Sequence, residues 1–168
     1  DLAVLLIVNG EGFAKILKSL GATDILMYKQ AKPSVHQIGN ALFKTRAKNI
    51  IVAADDSDIL ASLKSAITLC KSNVELIETQ NVIQIISMMY TFSPEMDILS
   101  NASIMRENLD NIRFCQIARA TRQFKTDSDT IPKGNYFCIH NKSILAHNSN
   151  LIDLIKLSIE KVRENESL

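Results

Sequence analysis

The chain has 168 residues, of which 46% are hydrophobic, so it can bury a sizeable core. Its 19 Lys and Arg residues nearly balance 18 Asp and Glu residues, which excludes the strongly basic surface typical of nucleic-acid binding. No apolar run approaches the roughly 18 residues of a membrane-spanning helix. Cys70, Cys115 and Cys138 are too widely spaced for a zinc motif or a disulfide framework. We therefore expect a cytoplasmic protein with reduced thiols, no membrane span and no nucleic-acid partner.

Short apolar runs alternate with amphipathic stretches over the first 111 residues. Leu2 to Val8 is a continuous apolar run, typical of a strand buried on both faces, and Gly21 ends the helical pattern that follows. The same alternation predicts further strands at 25–28, 49–54 and 74–77, and helices that begin near 33, 57, 81 and 94. Strands and helices in this order indicate a parallel sheet with right-handed crossovers and helices on both faces.

Several residues define the predicted helices more closely. Pro33 and Ser34 open the second helix, Asp56 or Ser57 caps the third, and Ser93 caps the helix that runs to residue 111. The second helix runs through the apolar residues Ile38, Leu42 and Phe43, and the apolar face of the third includes Leu69.

The pattern changes near residue 112. Arg113 to Phe124 and Asn135 to Ile139 predict longer, antiparallel strands joined by a turn at residues 131–134, and Asn141 with Lys142 predicts another turn. A last helix is expected from about Leu151 to Val162, capped near residues 148–150.

The fold class predicted from these patterns is α/β. Residues 1–111 form a parallel, helix-flanked subdomain with about four strands, and residues 112–168 contribute antiparallel strands plus a helix. Because no strand follows that helix, we expect this second part to be a truncated subdomain. An open strand edge there would favour a homodimer.

The loops after the four parallel strands lie along one edge of the sheet, outside the carboxyl ends of the strands. Open α/β sheets bind ligands at this edge, so the pattern names a face without naming a ligand. The candidate residues in these loops are Gly10, Glu11, Gly12, Gln30, Pro33, Ser34, Asp55, Asp56, Thr79 and Gln84.

Each candidate also has a simpler structural interpretation. The Gly10-Glu11-Gly12 segment could cradle a phosphate, but a plain strand-to-helix turn is favoured because the P-loop and dinucleotide fingerprints are missing. Asp55 and Asp56 could bind a cation, although acidic residues at a helix start commonly cap it. Arg119 could hold a phosphate or carboxylate, and a structural ion pair explains it as well.

Taken in order, the loops carry a family pattern. The matching segments are Gly10 to Phe13 with Ser19 to Gly21 (G-x-G-L…S-x-G), Gln30 to Ser34 (G-G-Q-T-M-N-P-S), Asp55 to Ile59 (N-N-K-N-I), Thr79 with Gln84 (T-x-x-x-x-Q), Ala118 to Thr121 (A-V-R-D-T) and Ile131 to Gly134 (I-K-K-G). On these segments the chain resembles the carboxy-terminal region of the fatty acid kinase A family, which is related to the dihydroxyacetone kinases. The resemblance covers nearly the whole chain.

The chain departs from that pattern in two loops. Met27, Tyr28 and Lys29 stand where the family has two glycines, with one residue deleted, and Asp55 and Asp56 stand where it has asparagines.

The resemblance implies different roles for two parts of the whole protein. The whole protein would be an ATP-dependent kinase for a fatty acid carried by a separate subunit, with ATP and Mg bound by an amino-terminal domain outside this chain. This region would have a DegV-like fold, hold no cofactor and catalyse nothing by itself. It would be a docking or regulatory domain that binds the acyl-carrying, DegV-like subunit, with Arg119 as one further contact. The alternative is a small-ligand-binding or phosphotransfer domain of a dihydroxyacetone-kinase-like enzyme.

Overall fold

A four-stranded parallel sheet, with strand order β2–β1–β3–β4, organises the first 112 residues. The computed structural model describes residues 1–126, 129–140 and 143–164, so the turn predicted at Asn141 and Lys142 lies outside the described residues. The elements of this first unit are β1 (Leu2–Asn9), α1 (Glu11–Ser19), β2 (Asp24–Tyr28), α2 (Val35–Thr45), β3 (Asn49–Ala54), a 3-10 turn (Ser57–Ile59), α3 (Leu60–Thr68), β4 (Asn73–Leu76), α4 (Val82–Met89) and α5 (Ile98–Asn111).

Two hydrophobic cores lie on opposite faces of this sheet. Alternate residues of β1 point to each face, so Val4 and Leu6 pack with α1, α4 and α5, whereas Leu5 and Ile7 pack with α2 and α3. Burial on both faces explains why β1 is apolar throughout rather than alternating. The predicted helix-flanked parallel sheet is confirmed.

One helix is capped by a different residue from the one predicted. Ser34 caps α2, and Asp56 caps the 3-10 turn that leads into α3. The cap of α5 is Asp97 rather than Ser93, whose backbone N–H and carbonyl are held by the buried amide of Asn101. This contact keeps the segment before Asp97 outside the helix.

The second unit, residues 113–168, is built on antiparallel strands. Strands β5, β8 and β9 form a three-stranded sheet in the order β5–β8–β9, on which α6 packs, and β6 pairs with β7. The elements are β5 (Gln116–Arg119), β6 (Phe124–Lys125), β7 (Thr130–Ile131), β8 (Tyr136–His140), β9 (Ser143–Asn148) and α6 (Leu151–Glu164).

The long strand expected from Arg113 to Phe124 is wrong in its extent. β5 has four residues, because its partner β8 begins only after the turn in which Asn135 N–H donates to the Pro132 carbonyl at 3.2 Å. Between β5 and that turn the chain forms the separate β6–β7 pair. The α/β class with a parallel and then an antiparallel part nevertheless holds. Within the described ranges, no helix has both the length and the apolar character needed to cross a membrane.

Candidate functional site

Asp55 joins three of the four loops at the carboxyl edge of the parallel sheet. Its Oδ2 accepts a hydrogen bond from the Asn9 backbone N–H at 2.7 Å, and its Oδ1 accepts one from the Tyr28 hydroxyl at 2.7 Å. The Asn9 side-chain amide donates to the Lys29 carbonyl at 2.8 Å. The ends of β1, β2 and β3 are therefore held together by one network.

The Tyr28–Asp55 contact joins one residue from each of the two loops in which the sequence departs from the family pattern that it resembles. Burial, followed by the hydrogen bond to the Asp55 carboxylate, holds the pKa of the Tyr28 hydroxyl well above its usual range. Like any tyrosine hydroxyl it is protonated at neutral pH, and the contact with Asp55 favours that protonated, donating form further. One hydrogen bond therefore links the two departing loops.

A second set of contacts links the loops after β2 and β3. The Lys32 ammonium lies 2.7 Å from Asp56 Oδ2 and 2.5 Å from Asp58 Oδ2. The hydrogen bond from Lys32, and then that from the Asp58 backbone N–H, lower the pKa of the Asp56 carboxyl below its usual value. No cluster of three or more His, Cys, Asp and Glu side chains that could hold a metal ion occurs in the part of the chain that the structure describes.

Ser34 and Pro33 serve the start of α2. The Ser34 hydroxyl accepts from the Gln37 backbone N–H at 3.3 Å, and the Gln37 side chain accepts from the Ser34 backbone N–H at 2.9 Å, which completes a capping box. Pro33 is buried just outside the helix, one position before the cap rather than within the first turn.

Thr79 and Gln84 serve the start of α4. The buried Thr79 hydroxyl donates to the Ala54 carbonyl at 2.6 Å, which ties the fourth loop to β3. Gln84 accepts from the Gln80 backbone N–H at 2.7 Å through its side chain, while its own N–H donates to the capping Asn81 side chain. All four loops are thus connected, and these two polar residues are used internally.

The remaining candidates at this edge are exposed to solvent or lie in the backbone turn. Gly10 has φ of +104°, a conformation that favours glycine, and it begins α1 without a side-chain cap. Glu11, Gly12 and Gln30 are exposed, and neither Glu11 nor Gln30 makes a side-chain hydrogen bond or ion pair within the described ranges.

Arg119 belongs to the second unit. Its Nε–H donates to the Gly134 carbonyl at 3.2 Å, and its guanidinium carbon lies 5.6 Å from the centroid of the Tyr136 ring. A backbone carbonyl and a ring face, rather than an ion pair, therefore position this side chain.

Sequence reasoning missed three residues that organise the carboxyl edge. Asn9 and Tyr28 are the last residues of β1 and β2, so a polar residue placed directly after an apolar run was the available signal. Lys32 gave a weaker signal, because only the strand order reveals that its loop faces the acidic loop after β3.

Comparison with known proteins assigns this chain to a family. Residues 3–168 match the FakA-like C-terminal family, which is described as the C-terminal region of fatty-acid-kinase-A-like proteins. The chain is 26% identical over 170 residues to an uncharacterized protein of Staphylococcus saprophyticus, and 24% identical over 168 residues to one of Staphylococcus epidermidis. These matches cover 100% and 99% of this chain but only 31% and 30% of the two relatives. The chain belongs to the FakA-like C-terminal family.

Proposed function

We propose that this chain is a non-catalytic docking or regulatory domain of a fatty-acid-kinase-like protein, and that its carboxyl edge binds an acyl-carrying, DegV-like subunit. Family membership over residues 3–168 supports the kinase context. In this proposal the whole protein transfers phosphate from ATP to the fatty acid, and ATP and Mg²⁺ bind outside this chain.

The observation that carries the proposal is the bonded framework beneath an exposed rim. Asp55 holds the ends of β1, β2 and β3 in fixed register, while Glu11 and Gln30 project from that framework without internal partners among the described residues. A surface that is ordered before binding loses less conformational entropy when a partner docks. The arrangement therefore suits recognition of a protein surface.

The aspartates at this edge favour docking over phosphotransfer. Both side-chain oxygens of Asp55 accept hydrogen bonds, and those of Asp56 accept from the Asp58 backbone N–H and from Lys32. A phosphotransfer site needs carboxylates that are available to Mg²⁺. Here each of these four oxygens already has a protein donor.

The test is calorimetric titration of the chain with an acyl-loaded, DegV-like protein. Gln30→Arg, which alters an exposed and unbonded side chain, is expected to weaken binding several-fold without affecting folding. Ser103→Arg, the same new side chain at an exposed position in α5, is the control and is expected to leave binding unchanged. Ser34 and Gln84 suit this test less well because both serve helix starts.

Two results would contradict the proposal. Absence of binding by the unaltered chain would remove the docking function, and equal binding by both variants would place the surface elsewhere. Steady ATP turnover by this chain, lost when Asp55 and Asp56 are both changed to Ala, would instead favour a phosphotransfer domain.

A further inference from the structure

A second surface lies at the opposite end of the first unit, where α2 and α3 end and lead into β3 and β4. A cavity of about 560 Å³ opens between the two helix ends. We name it the α2–α3 groove, and its lining residues are Gly39, Leu42, Phe43, Arg46, Ala47, Lys48, Ala66, Leu69, Cys70, Lys71 and Ser72.

Two large apolar side chains at this groove are almost fully exposed. Phe43 is 80% exposed and Leu69 is 78% exposed, although their neighbours Leu42 and Ala66 are buried in the core. The folded chain forgoes at both positions the stabilisation that burying an apolar side chain of this size gives. Two such side chains beside one cavity are a feature of interaction surfaces.

Cations without carboxylate partners line the same groove. Arg46, Lys48 and Lys71 form no ion pair within the described residues, and no Asp or Glu is among the lining residues. Lys64 and Arg106, which lie outside the groove, each pair with a carboxylate at 2.6 Å, so what marks the groove is that its three cations lie together with no acidic residue among them. The groove therefore presents positive charge that the described chain leaves uncompensated.

Arg46 stands in an unusual backbone position. It caps the end of α2 in the left-handed region with φ of +54°, and no other non-glycine residue among those described has positive φ. Glycine or asparagine usually fills this position, because most other side chains are disfavoured in the left-handed region. Favourable interaction with the helix dipole explains a cation near a helix end, but not the choice of this position or the exposed apolar pair.

Gly39 leaves the groove open. A Cβ atom at Gly39 would meet nothing within 4 Å, so the chain itself does not require glycine at this helical position. Glycine inside a helix is destabilising relative to alanine. The missing side chain therefore keeps space free beside Phe43.

We propose that the α2–α3 groove binds an acidic, amphipathic helical segment of a partner protein. Apolar residues of that segment would pack between Phe43 and Leu69, and its carboxylates would pair with Arg46, Lys48 and Lys71. Charge complementarity selects this occupant over a second copy, because two-fold pairing would bring the same cations together. The surface is separate from the carboxyl edge and does not depend on the docking function proposed there.

The experiment uses two synthetic helical peptides and fluorescence anisotropy. Both carry leucines at i, i+3, i+4 and i+7, flanked by glutamates in one peptide and by lysines in the other. We expect the glutamate peptide to bind this chain at least tenfold more tightly than the lysine peptide, with an affinity that falls as salt is added.

Variants then locate the binding. Gly39→Leu adds a side chain whose Cβ atom meets nothing within 4 Å, and it is expected to fill the groove and weaken binding of the glutamate peptide at least tenfold. Ser103→Leu adds the same side chain at an exposed position in α5 and is expected to leave this binding unchanged. The triple variant Arg46→Asn, Lys48→Gln, Lys71→Gln keeps a residue suited to the left-handed position and should also reduce binding tenfold. If Gly39→Leu fails to fold, this triple variant still tests whether the peptide binds in the groove.

Several outcomes would overturn the proposal. These are equal affinity for the two peptides, no binding at millimolar peptide, or binding that neither Gly39→Leu nor the triple variant weakens. Groove-dependent binding of anionic phosphatidylglycerol vesicles in preference to the glutamate peptide would identify a lipid surface instead. Groove-dependent dimerisation in sedimentation analysis would identify a second copy of this chain.

Discussion

The two ends of the parallel sheet differ in how their side chains are satisfied. At the carboxyl edge, Asp55 and Asp56 accept hydrogen bonds from groups of the chain itself, and Thr79 ties the last loop to β3. At the α2–α3 groove, Phe43 and Leu69 are exposed. The polar side chains at the carboxyl edge stabilise the fold, whereas the apolar and charged side chains at the groove are free to contact another molecule.

This difference separates two kinds of argument about sites. The rule that ligands bind outside the carboxyl ends of parallel strands selects a face by topology alone. The second argument selects a surface by its exposed apolar side chains and by its charged groups that have no partner in the folded chain. In this protein the two criteria point to opposite ends of one unit, so stability measurements can distinguish them.

The largest expected effect is at Asp55. Asp55→Ala removes the acceptor for Asn9 N–H and for the Tyr28 hydroxyl, so the free energy of unfolding in urea should fall by about 1–3 kcal/mol. Asp55→Asn is the matched control, because its amide can accept from Asn9 and donate to Tyr28. Its free energy of unfolding should fall by much less than that of Asp55→Ala. An equal loss in both variants would contradict the hydrogen-bonded account of this edge.

Thr79→Val should have the next largest effect. The substitution keeps the shape of the side chain but leaves the Ala54 carbonyl without the hydroxyl that donates to it at 2.6 Å. Loss of a buried hydrogen bond of this kind should reduce the free energy of unfolding by about 1 kcal/mol in the same titration. An unchanged midpoint would show that the fourth loop is held by packing rather than by this contact.

The parallel sheet could be predicted from sequence because burial on both faces requires continuous apolar runs. β3 was predicted at residues 49–54 and forms Asn49–Ala54. The pairs at the carboxyl edge could not be predicted, since alternating strands and helices do not specify the order β2–β1–β3–β4. That order brings Tyr28 and Asp55 from the two neighbours of β1 to the same place.

Non-local contacts also explain the predictions that failed. Ser93 and Asp97 are both good capping residues; Asp97 caps α5, while the backbone of Ser93 is bonded to the Asn101 amide. Phe43 and Leu69 were assigned to apolar helix faces by periodicity, yet both lie beyond the area that the core covers. Local sequence gives the face of a helix but not where the adjacent sheet ends.

A pH titration should reveal a smaller contribution from Lys32. The ammonium lowers the pKa of the Asp56 carboxyl, so the ion pair stabilises the fold above the unfolded carboxyl pKa of about 3.9 and loses this effect as pH falls through the lower, folded pKa. Lys32→Met should therefore unfold at slightly less urea at pH 7, by less than Thr79→Val, and match the unaltered chain near pH 2. A difference that persists at pH 2 would assign the effect to packing instead.

The smallest expected effect is at the groove. Because Phe43 and Leu69 are about four-fifths exposed, Phe43→Ser and Leu69→Ser remove little buried area and should change the free energy of unfolding by less than about 0.5 kcal/mol. The same urea titration that registers Thr79→Val provides the reference for that limit. If either serine variant lost more than about 1 kcal/mol, its side chain would be part of the core, and the exposed apolar pair on which the groove proposal depends would not exist. If the two serine variants are as stable as the unaltered chain but bind the glutamate peptide tenfold more weakly, these side chains contribute to recognition rather than to folding.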